Sequence, residues 1–456
     1  MSPPASGGSG GRGVDPALPE VLDALRRRGL DRTEVYAKRG RSRVVDRTPG
    51  GTRVSDHREE GWAVRAGDDR GSLFASATGR PDPAGPGGPG SSWPEADGDA
   101  LELAAGGPEE GAGPASPDAW RDPPHLDAPL AGEREALALL AAVRRELESE
   151  LPGVRPLLLQ LADGASEWQV ASSLRGRPGV AATGRGRAAY LRVEAALPGG
   201  AGRRGVRAEL ETVAPEAGSL EARGIARRLA DRLTVAARGR APERDRGELV
   251  LAPALGVRLL EALLPLFLPP RGPELARHLE DRSGPLASEA VSVIDDGRLP
   301  GGVLAAAADG EGIPTRAVTL VDEGTYRGPL GPGCSRRPGW RDLPRPGPSH
   351  LYLAPDGERP PADLLEGVAR GYYLLDADGA FSVDWDSGRF SVPVVGFALE
   401  RGRAVAPLAG AVVEGRLGRL LRGVQAVARD LAFSPRGGGL LGAPSILVAG
   451  LEIRGV

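Results

Sequence analysis

Cysteine is nearly absent: the 456-residue chain has one, Cys334. That excludes an internal disulfide framework and any thiolate cluster around zinc or iron–sulfur. The four histidines, His57, His125, His278 and His350, stand far apart, so no two share a helical turn as metal ligands. Asparagine is missing and Lys38 is the only lysine, so glycosylation sequons are excluded too. There is no excess of positive charge: Lys and Arg number 58 against 61 Asp and Glu, a net charge of −3. That balance speaks against a nucleic-acid partner, which calls for a basic field. Long apolar runs are also missing. The most apolar stretch, Leu249 to Leu268, is interrupted by Pro253, Arg258, Glu261 and Pro265. A membrane span needs about 20 mostly apolar residues, so this stretch reads as a core strand and helix. The first 13 residues carry no apolar core of a signal peptide. The expectation is a cytoplasmic protein without a membrane or nucleic-acid partner.

What the chain has in abundance is glycine and proline, 68 and 43 residues. This richness predicts long loops. Residues 1–13 read as a disordered tail. Residues 14–80 read as a helix capped by Asp15 and Pro16, then short strands at Glu34–Lys38, Gly61–Ala66 and Ser72–Thr78. Residues 81–130 are a Pro/Gly-rich linker. Its Gly85, Gly87 and Gly90 form a G-x-G-x-x-G in name only, because no strand or helix flanks them. The G-x-S-x-G around Ser9 lacks its strand and helix in the same way.

Residues 131–240 form a central region. It opens on a helix over Glu133–Glu150, with Leu137, Leu140, Val143 and Leu147 three and four apart. Strands follow at Arg155–Ala162, Glu167–Leu174, Ala188–Ala196 and Gly205–Val213, then a helix over Leu220–Ala237. Residues 241–456 form the last domain. Its predicted strands are Leu249–Ala252, Ala317–Val321, His350–Ala354, Gly371–Leu375, Phe381–Asp384, Arg389–Ala398 and Ile446–Ile453. Its predicted helices are Leu255–Leu268, Ala362–Ala369 and Leu417–Ala432. The fold class is α+β: an N-terminal α/β region with short antiparallel strands, then a large β-rich C-terminal domain.

Several segments, in this order, resemble one family. They are Asp31-Arg-Thr-Glu-Val-Tyr36, Gly61-Trp-Ala-Val-Arg65, Ser172-Ser-Leu-Arg-Gly176, Gly247-Glu-Leu-Val-Leu-Ala-Pro253, Val321-Asp-Glu-Gly-Thr-Tyr326, Leu351-Tyr-Leu-Ala-Pro355 and the ending Ala443 to Gly455. Their succession over most of the chain resembles the TldD/PmbA family, also called the TldD/TldE peptidases. The resemblance implies a two-subunit protease acting on unfolded or precursor peptides. One subunit carries a metal on an HExxxH helix completed by a distal Cys; the other lacks these ligands. Here Gly256-Val-Arg-Leu-Leu-Glu-Ala-Leu-Leu-Pro265 falls on that helix. Leu260 stands in place of the first His, Glu261 on the Glu, and Pro265 in place of the second His. Ser434 to Gly442, where the distal Cys belongs, has no Cys, His or carboxylate.

A catalytic zinc takes about three protein donors, and neither Leu nor Pro has one in its side chain. The resemblance therefore implies the metal-free PmbA/TldE-type subunit. No cofactor is expected in this chain, and zinc or a similar metal is expected in a TldD-like partner. An extended peptide would be the substrate, held by strand addition. A metallopeptidase with ligands elsewhere, and a stand-alone peptide-binding or scaffold protein, stay open at this point. No catalytic residue is assigned; Glu261 is the residual family position. Arg336, Arg337, Trp340 and Arg341 are the candidate partner or peptide contacts, because Arg and aromatics anchor interfaces. Cys334 beside these arginines reads as a small loop residue rather than a nucleophile, with no paired His in any recognisable motif. Asp376, Asp378, Asp384 and Asp386 read as hairpin turn residues.

Overall fold

Alternation of apolar and polar residues over unusually long stretches builds the N-terminal half. The computed structural model describes residues 17–27, 29–30, 32–68, 71–79, 129–173, 180–199, 205–280, 284–337, 341 and 343–456. The expected tail, the Asp15 cap, Ser9, the linker glycines and Trp340 lie outside them. Helix α1 (Ala17–Arg27) is followed by β1 (Arg32–Thr48), β2 (Gly51–Asp68) and β3 (Gly71–Thr78). Then come α2 (Glu133–Glu150), β4 (Arg155–Ser172), β5 (Val180–Leu197), β6 (Val206–Ala214) and α3 (Ala222–Arg238). The six strands form one antiparallel sheet in the order β3-β2-β1-β4-β5-β6. The regions on either side of the Pro/Gly-rich segment thus share a sheet.

The strands are longer than the sequence suggests. β1 runs on through Arg39–Thr48 because it is paired on both sides. Charges at and beyond its predicted end find cross-strand partners: Lys38 with Glu59 at 2.7 Å, Arg39 with Glu167 at 2.8 Å and Arg43 with Asp56 at 2.7 Å. β4 is one strand rather than two. Asp163-Gly164 reads as a turn, yet the Asp163 carboxylate accepts the Ala131 N–H at 2.6 Å and stays in the ladder. Leu159 and Leu161 on one face of β4 are buried against α2 and α3, where Leu140, Val143, Leu147, Leu229 and Leu233 complete a core.

The C-terminal half begins with β7 (Glu248–Leu251), α4 (Pro253–Phe267), α5 (Gly272–Leu279) and β8 (Val293–Asp296). β9 (Ala317–Asp322), β10 (Thr325–Tyr326), β11 (Ser335–Arg336), β12 (Arg345–Pro346) and β13 (His350–Leu353) follow. Next are α6 (Pro361–Glu366), β14 (Arg370–Ala377), β15 (Ser382–Asp384), β16 (Arg389–Glu400), β17 (Arg403–Arg416) and α7 (Leu417–Arg422). The chain closes with β18 (Val424–Val427), β19 (Ala432–Arg436), β20 (Gly439–Ala443), β21 (Ile446–Val448) and β22 (Glu452–Gly455). One sheet has the order β10-β9-β8-β13-β20-β19; the other runs β18-β21-β7-β14-β16-β17-β22, with β15 beside β16. Pairing is antiparallel except for β13 with β20 and β7 with β14. The class is α+β, mostly strand.

Three expectations are corrected here. The helix over Leu417–Ala432 ends at Arg422, because Val424, Ala426 and Val427 leave it to pair with β21. The final strand is two strands: Gly450, at φ +79, turns the chain between β21 beside β7 and β22 beside β17. β17, absent from the sequence reading, returns from β16 through Arg401 and Gly402, both at positive φ, as a two-residue hairpin turn requires.

α4 packs on β7 and β14 of one sheet and on β19 and β20 of the other. That position explains its composition, since a helix covered on nearly every side is apolar nearly all round. Gly256 is part of the fit: a Cβ there would come 2.7 Å from Ala443 Cβ. Among the described residues no single helix is long and apolar enough to cross a membrane.

Candidate functional site

Only a narrow stripe of α4 is polar. Arg258 and Glu261 are one turn apart and only partly buried, while Leu260 is 4% exposed and sits in the core. Pro265 is half-buried in the last turn. Lacking an N–H, it cannot donate to the Glu261 carbonyl four residues earlier. The helix nevertheless continues to Phe267.

Glu261 lies between two guanidinium groups, 3.7 Å from Arg258 and 3.7 Å from Arg436. Arg436 comes from the end of β19, inside the stretch where the resemblance places a distal Cys. The β19–β20 turn is made by Gly437 and Gly438 at φ +61 and +77. A Cβ on Gly437 would come 2.3 Å from Leu264 Cδ1 of α4, so glycine lets the hairpin tip close on the helix.

The charges continue on both sides. Arg436 is 3.7 Å from Glu211 of β6, whose carboxylate accepts the Tyr190 hydroxyl at 2.7 Å. Burial, then that bond to Glu211, pushes the Tyr190 phenol upward. Arg258 is 3.9 Å from Asp376 at the end of β14; Asp376 also pairs with Arg232 of α3 at 2.8 Å. Arg232 donates to the Ala377 carbonyl at 2.7 Å as well. An ion-pair chain therefore runs from β6 across α4 to β14 and α3, stitching the two halves together. Asp376, expected as a turn residue, is a member of it. Asp384 is a turn residue: it accepts the Ser387 hydroxyl and the Asp386 and Ser387 N–H groups, which hold its carboxyl below the usual range.

These residues do not fit a metal. Leu260 has no donor and points into the core, Pro265 has none, and Glu261 is held by two cations. Among the described residues no three His, Cys, Asp or Glu side chains gather in a way that could hold an ion.

The other candidate residues are placed differently from one another. Arg337 is directed inward, its side chain 2% exposed. It pairs with Glu34 of β1 and lies 4.4 Å over the Tyr36 ring. Glu34 also accepts from Arg65 at 2.9 Å, and Arg65 reaches Glu311 at 3.0 Å. Burial pushes the Arg337 guanidinium down, to about 9. Arg336 is turned toward buried Asp295, and burial lowers its pKa. Arg341 is exposed. Sequence reasoning missed Glu34 because its partner is 303 residues away.

Cys334 is 2% exposed. Burial, then the neighbouring Asp295 charge, pushes its thiol up to about 12. Its thiolate is scarce at neutral pH, and no nucleophile results. The native chain should take up no disulfide reagent at about pH 8, and one equivalent after unfolding. Rapid native labelling would overturn this assignment.

Residues 245–455 match the family model of the PmbA/TldA metallopeptidase C-terminal domain. A curated relative, the metalloprotease TldD homolog of Buchnera aphidicola subsp. Schizaphis graminum, is 24% identical over 170 residues, 34% of this chain. The match spans 35% of that relative's length. Among solved structures, TldE from Thermococcus kodakarensis superposes with a TM-score of 0.73 at 20% identity, covering 95% of this chain and all of that one. A protein from Thermotoga maritima, described as a candidate modulator of a DNA gyrase, has a TM-score of 0.73 at 16% identity, with 95% and 98% covered. At these identities the solved structures establish the fold.

Proposed function

Since the chain belongs to the TldD/PmbA family, we propose that it is the metal-free, TldE-like subunit of a two-chain metallopeptidase acting on unfolded or precursor peptides. The observation that carries this reading is the occupancy of α4. Leu260 and Pro265 stand where the resemblance puts ligands, and Glu261 is engaged by Arg258 and Arg436. A catalytic zinc uses about three protein donors and an open position for water. A carboxylate flanked by two guanidiniums, on a helix whose aligned ligand positions hold Leu and Pro, is not set up to activate a metal-bound water. The positive charge facing Glu261 comes from arginine in place of an ion.

The role left for this subunit is to complete the assembly and hold substrate. Among the described residues β19 is the edge strand of its sheet, hydrogen-bonded to β20 and packed on α4 and against β6. An extended peptide adds to such an edge through main-chain hydrogen bonds. Of the predicted loop contacts, Arg341 is the exposed one among the described residues.

The test has two parts. Metal analysis of the purified chain after dialysis should give far less than one zinc, iron or manganese per chain, with no chelator-sensitive cleavage. In a reconstituted complex, Glu261→Gln should leave turnover within about twofold; removing a general base would cost about 10²–10⁴-fold. Stoichiometric metal, or a loss of that size with the fold intact, would overturn the proposal.

A further inference from the structure

A second concave region lies away from α4, and it is cationic. The end of α5, the β15–β16 turn, the passage from β17 into α7 and the start of β22 enclose a cleft of about 770 Å³. That volume is within the range of small-ligand sites. Six arginines line it: Arg244, Arg246, Arg389, Arg416, Arg419 and Arg422.

They fall into two groups. Arg244 and Arg246 are both engaged by Glu452, so their charge is partly spent. The other four have no carboxylate within 4 Å among the described residues. Arg416 donates one N–H to the Ser387 carbonyl at 3.3 Å, and Arg422 one to the Leu279 carbonyl at 3.1 Å. These bonds orient the guanidinium groups without neutralising them. Arg389 and Arg419 make no side-chain hydrogen bond or ion pair among the described residues. Glu280, Asp386 and Glu414 also line the cleft; Glu414 is paired with Arg454, and Asp384 lies opposite Arg389 in the β15–β16 ladder, close enough to feel its charge. Six arginines against four lining carboxylates, Glu452 included, leave the balance positive.

The local sequence explains the clustering. Arg416, Arg419 and Arg422 are spaced by three, which puts them along one side of α7. Gly418 makes room: a Cβ there would come 2.9 Å from both Arg422 Nη2 and the Leu279 carbonyl oxygen. Arg389 reaches the same place from the neighbouring strand, opposite Arg416 in the β16–β17 ladder. Guanidinium forks from a strand and a helix thus converge on one cleft, an arrangement suited to bidentate pairing with oxyanions.

The geometry points to this cleft as a binding site for a ligand bearing two or more oxyanion groups. Carboxylates of an acidic peptide and phosphates of a small polyphosphate share that chemistry. The inference does not depend on the subunit role of the chain or on α4.

The test uses the full chain and two probes at low salt: fluorescein-labelled hexaglutamate by anisotropy and inorganic tripolyphosphate by calorimetry. Saturable binding of one or both is expected, weakening steeply as salt rises. Arg389→Gln/Arg419→Gln should weaken it about tenfold or more, since two charge-assisted hydrogen-bonding groups are lost. Among the described residues Arg419 makes no side-chain hydrogen bond or ion pair, and Arg389 loses only an exposed charge interaction with Asp384, so circular dichroism should be unchanged. Arg223→Gln/Arg227→Gln on the exposed side of α3 removes the same charge elsewhere and should leave affinity within about twofold. Tight hexaglutamate with weak tripolyphosphate identifies an acidic peptide; the reverse identifies a phosphate-bearing small molecule. No binding of either probe at millimolar concentration, or equal weakening by the α3 control, overturns the proposal.

Discussion

Mixed in equal amounts with a TldD-type protein whose HExxxH helix is intact, this chain is expected to elute as one heterodimer. The complex should cleave a disordered peptide at least about 100-fold faster than either chain alone, the scale on which completing a catalytic constellation acts. In the proposed role, a subunit that carries Leu260 and Pro265 in place of donors would contribute to proteolysis through an interface and a substrate-holding edge. Stable obligate interfaces bury about 2,000 Å² or more, so the complex should survive size-exclusion chromatography at micromolar concentration. Light scattering on the eluted peak gives the stoichiometry, and a labelled peptide gives the rate. Two separate peaks, with the metal-bearing chain equally active alone, would leave the stand-alone scaffold reading.

The largest stability effect is expected at Glu34. Its side chain is 1% exposed and is shared by Arg337 and Arg65, themselves 2% and 8% exposed. Glu34→Ala leaves the Arg337 guanidinium buried over Tyr36 without a carboxylate. Arg65 keeps Glu311. Breaking one side of a buried pair costs about 3–5 kcal/mol, which a urea titration should show as a large fall in midpoint. Replacing both partners by apolar residues of similar volume is often close to neutral. Glu34→Leu combined with Arg337→Met should therefore recover most of the loss. A midpoint for Glu34→Ala within about 0.5 kcal/mol of the parent, the range of ordinary surface changes, would show the pair to be dispensable.

Legibility from the sequence tracked the range of the forces involved. α2 begins and ends where its leucine spacing says, because each of its signals lies within a turn or two. β17 was invisible: its first four residues are exposed, and Pro407 and Gly410 interrupt its alternation. Only the β16 ladder reveals it as a strand. The same holds for the site. Glu261 could be located from its neighbours in the chain, and Arg258 one turn before it was in plain view. Arg436 could not, since a hairpin built 175 residues later brings it back to α4. The buried role of Arg337 was hidden for the same reason. An arginine-rich loop reads as surface until β1 supplies a carboxylate beneath it.

The order of strands in the N-terminal sheet also constrains how the molecule is made. β1 is central, flanked by β2 and β4, yet about 90 residues separate the end of β3 from the end of β4. During synthesis at about 5–20 residues per second, the β1–β3 meander waits roughly 5–20 seconds for its neighbour. Throughout that interval the 17-residue β1 presents an open edge, the kind of surface that recruits other chains. The charges that hold β1 in the finished ladder, Arg39 and Arg43 among them, make a poor template for a second copy of the same strand, because like charges would face each other. The ribosome-bound intermediate is thus shielded by the same side chains that make β1 difficult to recognise as a strand.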